Sequence, residues 1–310
     1  MKRWKTKIVL LVLPLALACL FVLTSCGCGR HQSERLRPDG NEKDKPAGVS
    51  ISTAICTSRG FTPQQSLDMF AAAGYKYLEI YLERDNLQYD HDWAALAERI
   101  TALNMKVWAL HGQLSGNSAS LDEQKRKKAV RDEVARMTTM TVYAPCPYVV
   151  HYFPRYNDPN RIHAFRQCIE ELMVHAKALR FTLAVETVPC KPKIDERYAD
   201  SMEVADFVRS FHSDYVRVCI DLNHSNIKED LAHVAKNCDG IIAHIHVSDN
   251  HGLEEEHLPP GEGTIDFPKA IKALRKAGYT GPLNLEVACP AERLNIEMLT
   301  KMRLWAEKMQ

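Results

Sequence analysis

Six side chains of the kinds that bind divalent metal ions recur along the chain at intervals of 25 to 40 residues. They are His111, His151, Glu186, Asp221, His246 and Glu286. Each closes a short apolar run, where a carboxylate is costly to bury unless a cation accompanies it. Mixed carboxylate and imidazole donors suit Mn²⁺, Co²⁺, Mg²⁺ or Zn²⁺, and carboxylates favour the harder ions. The spacing therefore predicts a divalent-metal site assembled from successive structural repeats.

Two more histidines lie close to this series in the sequence. His224 follows Asp221 in the pattern D-x-x-H, which indicates either a site pair or a helix-capping aspartate followed by a surface histidine. His244 and His246 have the same strand parity and therefore point to the same side. Because His246 is nearer the strand end, we expect it to be the ligand and His244 to pack one layer below.

The segments that carry these residues alternate between short apolar runs and longer amphipathic stretches, which predicts parallel strands joined by crossover helices. The predicted strands are Val49–Ile55, Tyr77–Tyr81, Lys106–His111, Tyr148–His151, Thr182–Glu186, Val216–Asp221, Ile241–His246 and Leu283–Val287. Eight such units in about 260 residues are typical of an α/β fold of the (β/α)8 TIM-barrel type, whose strand ends converge on one face. A doubly wound sheet is the alternative, but no glycine-rich phosphate-binding pattern follows the first strand.

Residues 1–25 have the features of a secretory signal peptide. Four cations lie within Met1–Lys7, and the apolar run Ile8–Leu23 is shorter than the ~20 residues that span a bilayer. The run leads into Leu23-Thr24-Ser25-Cys26, which resembles the bacterial lipobox, in which the cysteine is acylated and becomes the mature N-terminus. An uncleaved anchor with a chance cysteine is the alternative. We expect an exported protein, lipid-anchored through Cys26 to the bacterial cell envelope, on the periplasmic side or outer membrane.

The next segment, residues 26–48, is polar and contains Pro38, Gly40 and Pro46, so we expect a flexible tether. The barrel is then expected to span residues 49–310. The chain has 40 basic and 39 acidic residues, and cleavage after residue 25 leaves 36 basic residues against 39 acidic ones. A net acidic domain argues against nucleic acid as a partner. We expect the membrane to be contacted through the lipid anchor only.

Cysteine usage adds little to this picture. No C-x-x-C pair is present, which excludes a zinc ribbon and a thioredoxin-like motif. The even number of cysteines that remains beside Cys26 permits disulfides in an exported protein. We nevertheless expect most of them to be small buried apolar residues.

Several segments resemble the xylose-isomerase-like TIM-barrel superfamily, and in particular its sugar isomerase/epimerase branch. They are Leu183–Glu186, Cys219–His224, His244–Asn250, Leu285–Glu286 and His257–Asp266. The resemblance implies a fold that begins near residue 49 and one divalent metal ion held by Glu186, Asp221, His246 and Glu286. It also implies that His224 binds the substrate. We assign His111, His151 and His257 to substrate binding as well.

The resemblance further implies a reaction through a metal-stabilised enediolate. The metal would polarise a carbonyl and the adjacent hydroxyl of a sugar or keto sugar, so that the neighbouring C–H bond becomes acidic. Glu186 and Glu286 would act as base and acid while also serving as ligands. Return of the proton to the other face gives an epimer, and its transfer to the next carbon gives an isomer. Elimination or dehydration of a keto sugar uses the same intermediate.

Two other functions compete with this one. AP endonucleases of the same superfamily bind three zinc ions, and their phosphodiesterase ligand set also matches this chain, with Glu255 where that family has aspartate. The matching residues are His111, His151, Glu186, Asp221, His224, His246, Glu255, His257 and Glu286. The acidic domain and the lipid anchor argue against DNA as the substrate. The remaining alternative is a non-catalytic carbohydrate-binding lipoprotein, with stacking faces from Tyr81, Trp93, Trp108 and Tyr152.

Overall fold

The computed structural model describes residues 48–57, 59–81, 90–112, 117–154, 158–189 and 198–310. Within them, parallel strands close into a barrel in chain order, and β8 pairs with β1. The strands are β1 (Val49–Ser52), β2 (Tyr77–Tyr81), β3 (Lys106–His111), β4 (Tyr148–Tyr152), β5 (Thr182–Glu186), β6 (Val216–Asp221), β7 (Ile242–Val247) and β8 (Leu283–Leu285). The predicted (β/α)8 TIM barrel is confirmed. The predicted signal peptide, Cys26 and residues 27–47 lie outside the described residues.

Helices alternate with these strands along the chain. They are α1 (Ala54–Thr57), α2 (Pro63–Ala72), α3 (Asp90–Ala102), α4 (Glu123–Tyr143), α5 (Pro159–Leu179), α6 (Ser201–Arg209), α7 (Leu222–Asn226), α8 (Leu231–Asn237), α9 (Phe267–Lys276) and α10 (Ile296–Lys308). Local sequence sets where they begin. The Thr62 hydroxyl accepts a hydrogen bond from the Gln65 amide before Pro63, and the Asp266 carboxylate does the same for Lys269 ahead of Pro268. These caps fix the residues at which the two helices begin.

Four predicted strands, β2, β3, β5 and β6, have the expected bounds, and four differ. Residues after Ser52 turn into α1, because an apolar run of this length suits a strand or a buried helix equally well. The fourth strand extends to Tyr152, and the seventh is shifted one residue to Ile242–Val247. The prediction that Glu286 lies inside the eighth strand is wrong, because β8 ends at Leu285. The Glu286 amide still donates a hydrogen bond to the Val247 carbonyl, which keeps the side chain beside β7.

The two faces of the barrel strands are filled differently. Side chains on the outer face, such as Ile51, Leu78 and Ile245, join one large apolar core with the surrounding helices. The inner face holds a small apolar cluster around Trp108, Val150 and Cys219 and, beside it, a series of buried polar side chains. The inner polar residues are Ser50, Ser52, Glu79, His244, His246 and Asn284. The barrel interior is therefore polar over much of its surface.

The cysteines in the described residues behave as the sequence predicts. Cys56, Cys146, Cys168, Cys219, Cys238 and Cys289 are buried and free, so no disulfide forms among the described residues. Cys28 and Cys190 lie outside this part of the chain. Among the helices that the structure describes, none has the combination of length and apolar character needed to cross a membrane.

Candidate metal centre

The four residues predicted as metal ligands come together at the mouth of the barrel, the end where the strands terminate. Glu186 and Asp221 are the last residues of β5 and β6, His246 is in β7, and Glu286 follows β8. His246 Nδ1 lies 2.9 Å from a Glu186 oxygen, 3.0 Å from a Glu286 oxygen and 3.7 Å from an Asp221 oxygen. One donor atom from each side chain lies within 4.8 Å of all the others. That the four bind a metal remains a prediction.

This donor set fits a divalent cation. Three carboxylates and one imidazole share a buried space, and such a concentration of negative charge requires compensation. His246 Nδ1 lies 2.9 to 3.7 Å from an oxygen of each of the three carboxylates, so one cation would be within reach of all four side chains. Asp221 Oδ2 is buried and has no hydrogen-bond partner among the described residues. A divalent ion here would give that oxygen a partner and offset two of the three negative charges of the carboxylates.

The ionisation of these side chains reflects their mutual contacts. Burial raises the pKa of Glu186, but His246 and His111 outweigh this effect and hold the pKa below its ordinary range. Burial lowers the pKa of His246, but Cys219, Glu286 and Glu79 outweigh it and raise the pKa well above its ordinary value. In this arrangement imidazole protons lie beside the carboxylates and offset part of their charge. A divalent cation would take over the same electrostatic role.

His111 forms a second group of donors next to this centre. Its Nε2 donates a hydrogen bond to Glu186 at 3.2 Å, and His111, Glu186 and His246 are close enough to share an ion. The His111 ring lies between the rings of Tyr81 and Tyr152, at centroid distances of 4.3 and 4.8 Å. The two tyrosine hydroxyls hydrogen bond to each other at 2.9 Å. This arrangement places an aromatic wall on one side of the mouth.

A third group lies on the other side, around His224. The Asp221 carboxylate caps α7 by accepting a hydrogen bond from the His224 amide at 2.9 Å, so the capping interpretation of D-x-x-H holds. His224 is nevertheless buried, and Asp221, His224 and His257 form a donor group. Glu255 Oε1 lies 3.6 Å from His224 Nε2 and 3.4 Å from His257 Nε2. Burial lowers the pKa of His224, but Asp221 and Glu255 outweigh it and raise the pKa to about 10.

Three residues named from the sequence lie apart from these donor groups. His151 is fully buried but belongs to none of them, and its nearest carboxylate is Glu133 at 3.9 Å. Burial lowers the pKa of His151 to about 4. Trp108 packs against Tyr148 in the inner apolar cluster, and Trp93 lies in the core outside the barrel. The two tryptophans therefore do not offer stacking faces at the mouth, whereas Tyr81 and Tyr152 flank it.

The structure also places at the centre one acidic residue that the sequence pattern did not single out. Glu79 in β2 is fully buried, and its Oε2 lies 2.9 Å from both His244 Nε2 and His246 Nε2. Burial raises the pKa of Glu79, but His246 and His244 outweigh it and hold the pKa well below its ordinary range. Glu79 was missed because it is in the middle of a strand, whereas the repeated donors close their strands. The signal was a charged residue between Leu78 and Ile80, both of which are apolar.

The loop after β7 brings Glu255 and His257 to the mouth, and Asp249 holds this loop in place. The Asp249 carboxylate accepts hydrogen bonds from the amides of Gly261, Gly263 and Ile265 at 2.9, 3.0 and 3.1 Å. Such charge-assisted bonds to backbone amides are strong. The position of His257 therefore depends on a buried carboxylate at the start of its own loop.

Gly263→Ala is expected to disrupt this loop. A Cβ at residue 263 would meet the Asn250 carbonyl carbon at 2.7 Å and would also clash with the Asn250 oxygen and the Asp249 carboxylate. Because backbone atoms cannot rotate away, we expect a loss of about 1–3 kcal/mol in the free energy of unfolding, measured by thermal denaturation. Gly261→Ala is the matched control, since its Cβ meets nothing within 4 Å and only the φ of +91° is strained. A Gly263→Ala protein that is as stable as the unmodified protein would contradict the steric explanation.

Comparison with known proteins agrees with this fold. A family model described as "Xylose isomerase-like TIM barrel" matches residues 67–308. The chain belongs to this family, as the sequence motifs imply. The predicted lipoprotein signal lies outside the matched residues.

Several curated relatives carry the names of sugar epimerases. D-psicose 3-epimerase of Enterocloster bolteae is 29% identical over 265 residues, which cover 79% of this chain and 84% of the relative. L-ribulose-5-phosphate 3-epimerase of Escherichia coli is 25% identical over 162 residues, which cover 52% of this chain and 54% of the relative. For two uncharacterized relatives, from Methanocaldococcus jannaschii and Sinorhizobium fredii, the chain spans 60% and 25% of their length, at 24% and 36% identity.

Solved structures share the barrel. A D-tagatose 3-epimerase-like protein superposes with a TM-score of 0.73 at 19% identity, over 84% of this chain and 96% of that one. D-psicose 3-epimerase from Clostridium cellulolyticum H10, solved with D-tagatose, superposes with a TM-score of 0.69 at 17% identity, over 84% and 97%. At identities this low, the superpositions show that the fold is shared.

Proposed function

We propose that the protein is a divalent-metal-dependent sugar epimerase or isomerase that acts on a small ketose or keto sugar. The observation that carries the proposal is the convergence of Glu186, Asp221, His246 and Glu286 at the barrel mouth. Two of the four are glutamates from elements three strands apart, and we propose that they approach a reacting carbon from two directions. The sugar epimerase names of the relatives support the same reaction class.

The chain's own residues supply the proton transfers. A bound Mn²⁺, Co²⁺, Mg²⁺ or Zn²⁺ would draw charge from the substrate carbonyl and its neighbouring hydroxyl, which acidifies the adjacent C–H bond. Glu186 is held as a carboxylate by the hydrogen bond from His111 Nε2, so one of its oxygens can take the proton. In this proposal Glu286, after taking a proton from solvent, returns it to the other face of the carbon. The product then has inverted configuration at that carbon.

The surrounding side chains suit a small polyhydroxylated substrate. His224, His257 and Glu255 provide hydrogen-bonding groups on one side, and Tyr81 and Tyr152 provide aromatic surface and hydroxyls on the other. Sugars are commonly bound by such a combination of stacking and hydrogen bonding. We propose that these residues, together with His111, orient the substrate over the two glutamates.

A metal-dependent phosphodiesterase of the AP-endonuclease type is the second candidate, and one observation favours it. The structure brings together two further donor groups, His111 with Glu186 and His224 with Glu255 and His257, in addition to the central four. Bound metal per chain therefore separates the candidates. One tightly bound ion supports the epimerase, whereas three support the phosphodiesterase.

The direct test is solvent exchange during turnover. Purified protein loaded with Mn²⁺ is incubated in D₂O with a panel of ketopentoses, ketohexoses and their phosphates, and each recovered sugar is analysed by proton NMR. We expect a new epimer that carries deuterium at the carbon next to the carbonyl, wherever the base exchanges its proton with solvent. Metal-dependent nicking of abasic-site DNA, without exchange into any sugar of the panel, would favour the second candidate.

We also propose that the barrel is exported and anchored to the cell envelope by acyl chains on Cys26. Cys26→Ser is expected to move the protein from the detergent phase to the aqueous phase in detergent-phase separation. The physical reason is that two or more acyl chains contribute about 0.8 kcal/mol per buried CH₂ group. Cys28→Ser is the matched control, because this neighbouring cysteine is not at the lipobox position. Detergent partitioning of Cys26→Ser that equals that of the unmodified protein would refute the anchor.

A further inference from the structure

The contact between Glu79 and the two histidines of β7 crosses the interior of the barrel. Strands β2 and β7 are not neighbours, since β8 and β1 lie between them. The Glu79 side chain nevertheless reaches His244 Nε2 and His246 Nε2, both at 2.9 Å from the same carboxylate oxygen. All three side chains are fully buried. The negative charge of a buried carboxylate must be compensated by the groups that it contacts.

The direction of these hydrogen bonds follows from the chemistry of the groups. An ionised carboxylate accepts hydrogen bonds only, so the Nε2 atoms of His244 and His246 must be the donors. The other nitrogen of His246, Nδ1, faces Glu186 and Glu286 at 2.9 and 3.0 Å. The imidazole is thus held at both ends, with its Nε2 proton directed at β2 and Nδ1 directed at the mouth.

We infer that Glu79 is a positioning residue, which fixes the ring orientation and tautomer of His246 so that Nδ1 presents its lone pair to the proposed metal. The inference rests on the proposed function, because it assigns a role within the same centre. Carboxylates that accept a hydrogen bond from the distal nitrogen of a ligating histidine orient the ring and raise its basicity. Without Glu79, a neutral His246 would be free to place its proton on Nδ1, which cannot then bind a cation.

The residues around Glu79 are suited to keep its carboxylate in this position. His244 donates to the same oxygen as His246 and so restrains the carboxylate from below. Ser52 is paired in register with Glu79, and Asn284 is paired in register with His246, which extends the polar wall over neighbouring strands. His244 therefore acts on the proposed centre through Glu79, and its loss should matter less than the loss of Glu79 itself.

The test compares Mn²⁺ affinity in four variants, measured by calorimetric titration of metal-free protein. Glu79→Leu keeps the approximate volume but removes the acceptor, and it should weaken Mn²⁺ binding by about 10- to 100-fold. Glu79→Gln retains an acceptor oxygen, so it should bind Mn²⁺ more tightly than Glu79→Leu but more weakly than the unmodified protein. His244→Gln should weaken binding less than Glu79→Leu. Glu133→Gln is the control, because Glu133 is equally buried but pairs with Arg136 on α4.

A second measurement reports the tautomer directly. In the Co²⁺-substituted protein, the Nε2 proton of a ligating histidine gives a strongly shifted, exchangeable NMR signal. We expect this signal to persist in the unmodified protein and in Glu79→Gln, and to broaden or vanish through solvent exchange in Glu79→Leu. Should Glu79→Leu fail to fold, the Mn²⁺ affinities of the other variants decide the question. Glu79→Gln and His244→Gln should then bind Mn²⁺ more weakly than the Glu133→Gln control. A merely structural role would lower thermal stability without changing this signal.

Four results would overturn the inference or separate it from the proposed function. A folded Glu79→Leu protein whose Mn²⁺ affinity stays within about twofold of the unmodified protein would refute the positioning role. Equal losses of Mn²⁺ affinity in Glu79→Leu and Glu133→Gln would show that Glu79 contributes only to the stability of the fold. An unmodified protein that binds Mn²⁺ but epimerises no sugar would contradict the proposed function alone, while a protein that binds no divalent cation would contradict both.

Discussion

Glutamine in place of Glu186 or Glu286 will abolish the exchange of solvent deuterium into a ketose that the unmodified protein epimerises. The amide cannot take or return a proton, and general acid–base groups contribute about 10²- to 10⁴-fold to such rates. Each variant should therefore lose several kcal/mol of transition-state stabilisation, which is measured as the initial rate of deuterium incorporation by mass spectrometry. Because both glutamates also belong to the predicted ligand set, bound metal is quantified in the same samples.

An appropriate control is Glu292→Gln, an exposed glutamate six residues after Glu286. It undergoes the same chemical change in the same segment, and its exchange rate should equal that of the unmodified protein. Glu186→Gln and Glu286→Gln samples that retain metal but exchange no deuterium would assign the glutamates to proton transfer itself. Exchange at the unmodified rate in either variant would remove that glutamate from the mechanism.

The second large effect is expected from Asp221→Asn. Asn is as good a helix cap as Asp, so the hydrogen bond from the His224 amide and helix α7 should survive the change. The buried negative charge is lost, and we expect divalent metal affinity to fall by more than the roughly 10- to 100-fold typical of residues that only support a ligand. Elemental analysis of the purified protein measures the metal content.

Asp230→Asn is the matched control for this experiment. Asp230 caps α8 through hydrogen bonds from Ala232 and His233, but it lies at the surface. Its replacement should leave the metal content unchanged. If Asp221→Asn also retained the metal content of the unmodified protein, Asp221 would be a helix cap and no ligand. Within β7, His246→Gln should lower metal content more than His244→Gln.

The sequence by itself was sufficient to predict the barrel and the central group of donors. Alternation of apolar runs with amphipathic stretches is a local property, and a metal-type side chain at each strand end repeats with the length of one βα unit. Once the strands are parallel and closed, geometry forces such ends to one face. The spacing of Glu186, Asp221 and His246 along the chain therefore predicts that they meet, but the same spacing includes His151, which the structure places outside the donor groups.

Local patterns could not show contacts that depend on which strands face each other across the barrel. Glu79 and His246 are 167 residues apart in the chain and meet only through the interior. Likewise, nothing in its own segment shows that His151 lies beside Glu133 of α4. The positions of Glu255 and His257 depend on hydrogen bonds that backbone amides later in the same loop donate to the Asp249 carboxylate. The tertiary structure decided these points, because closure of the barrel sets distances between strands that periodicity along one strand does not contain.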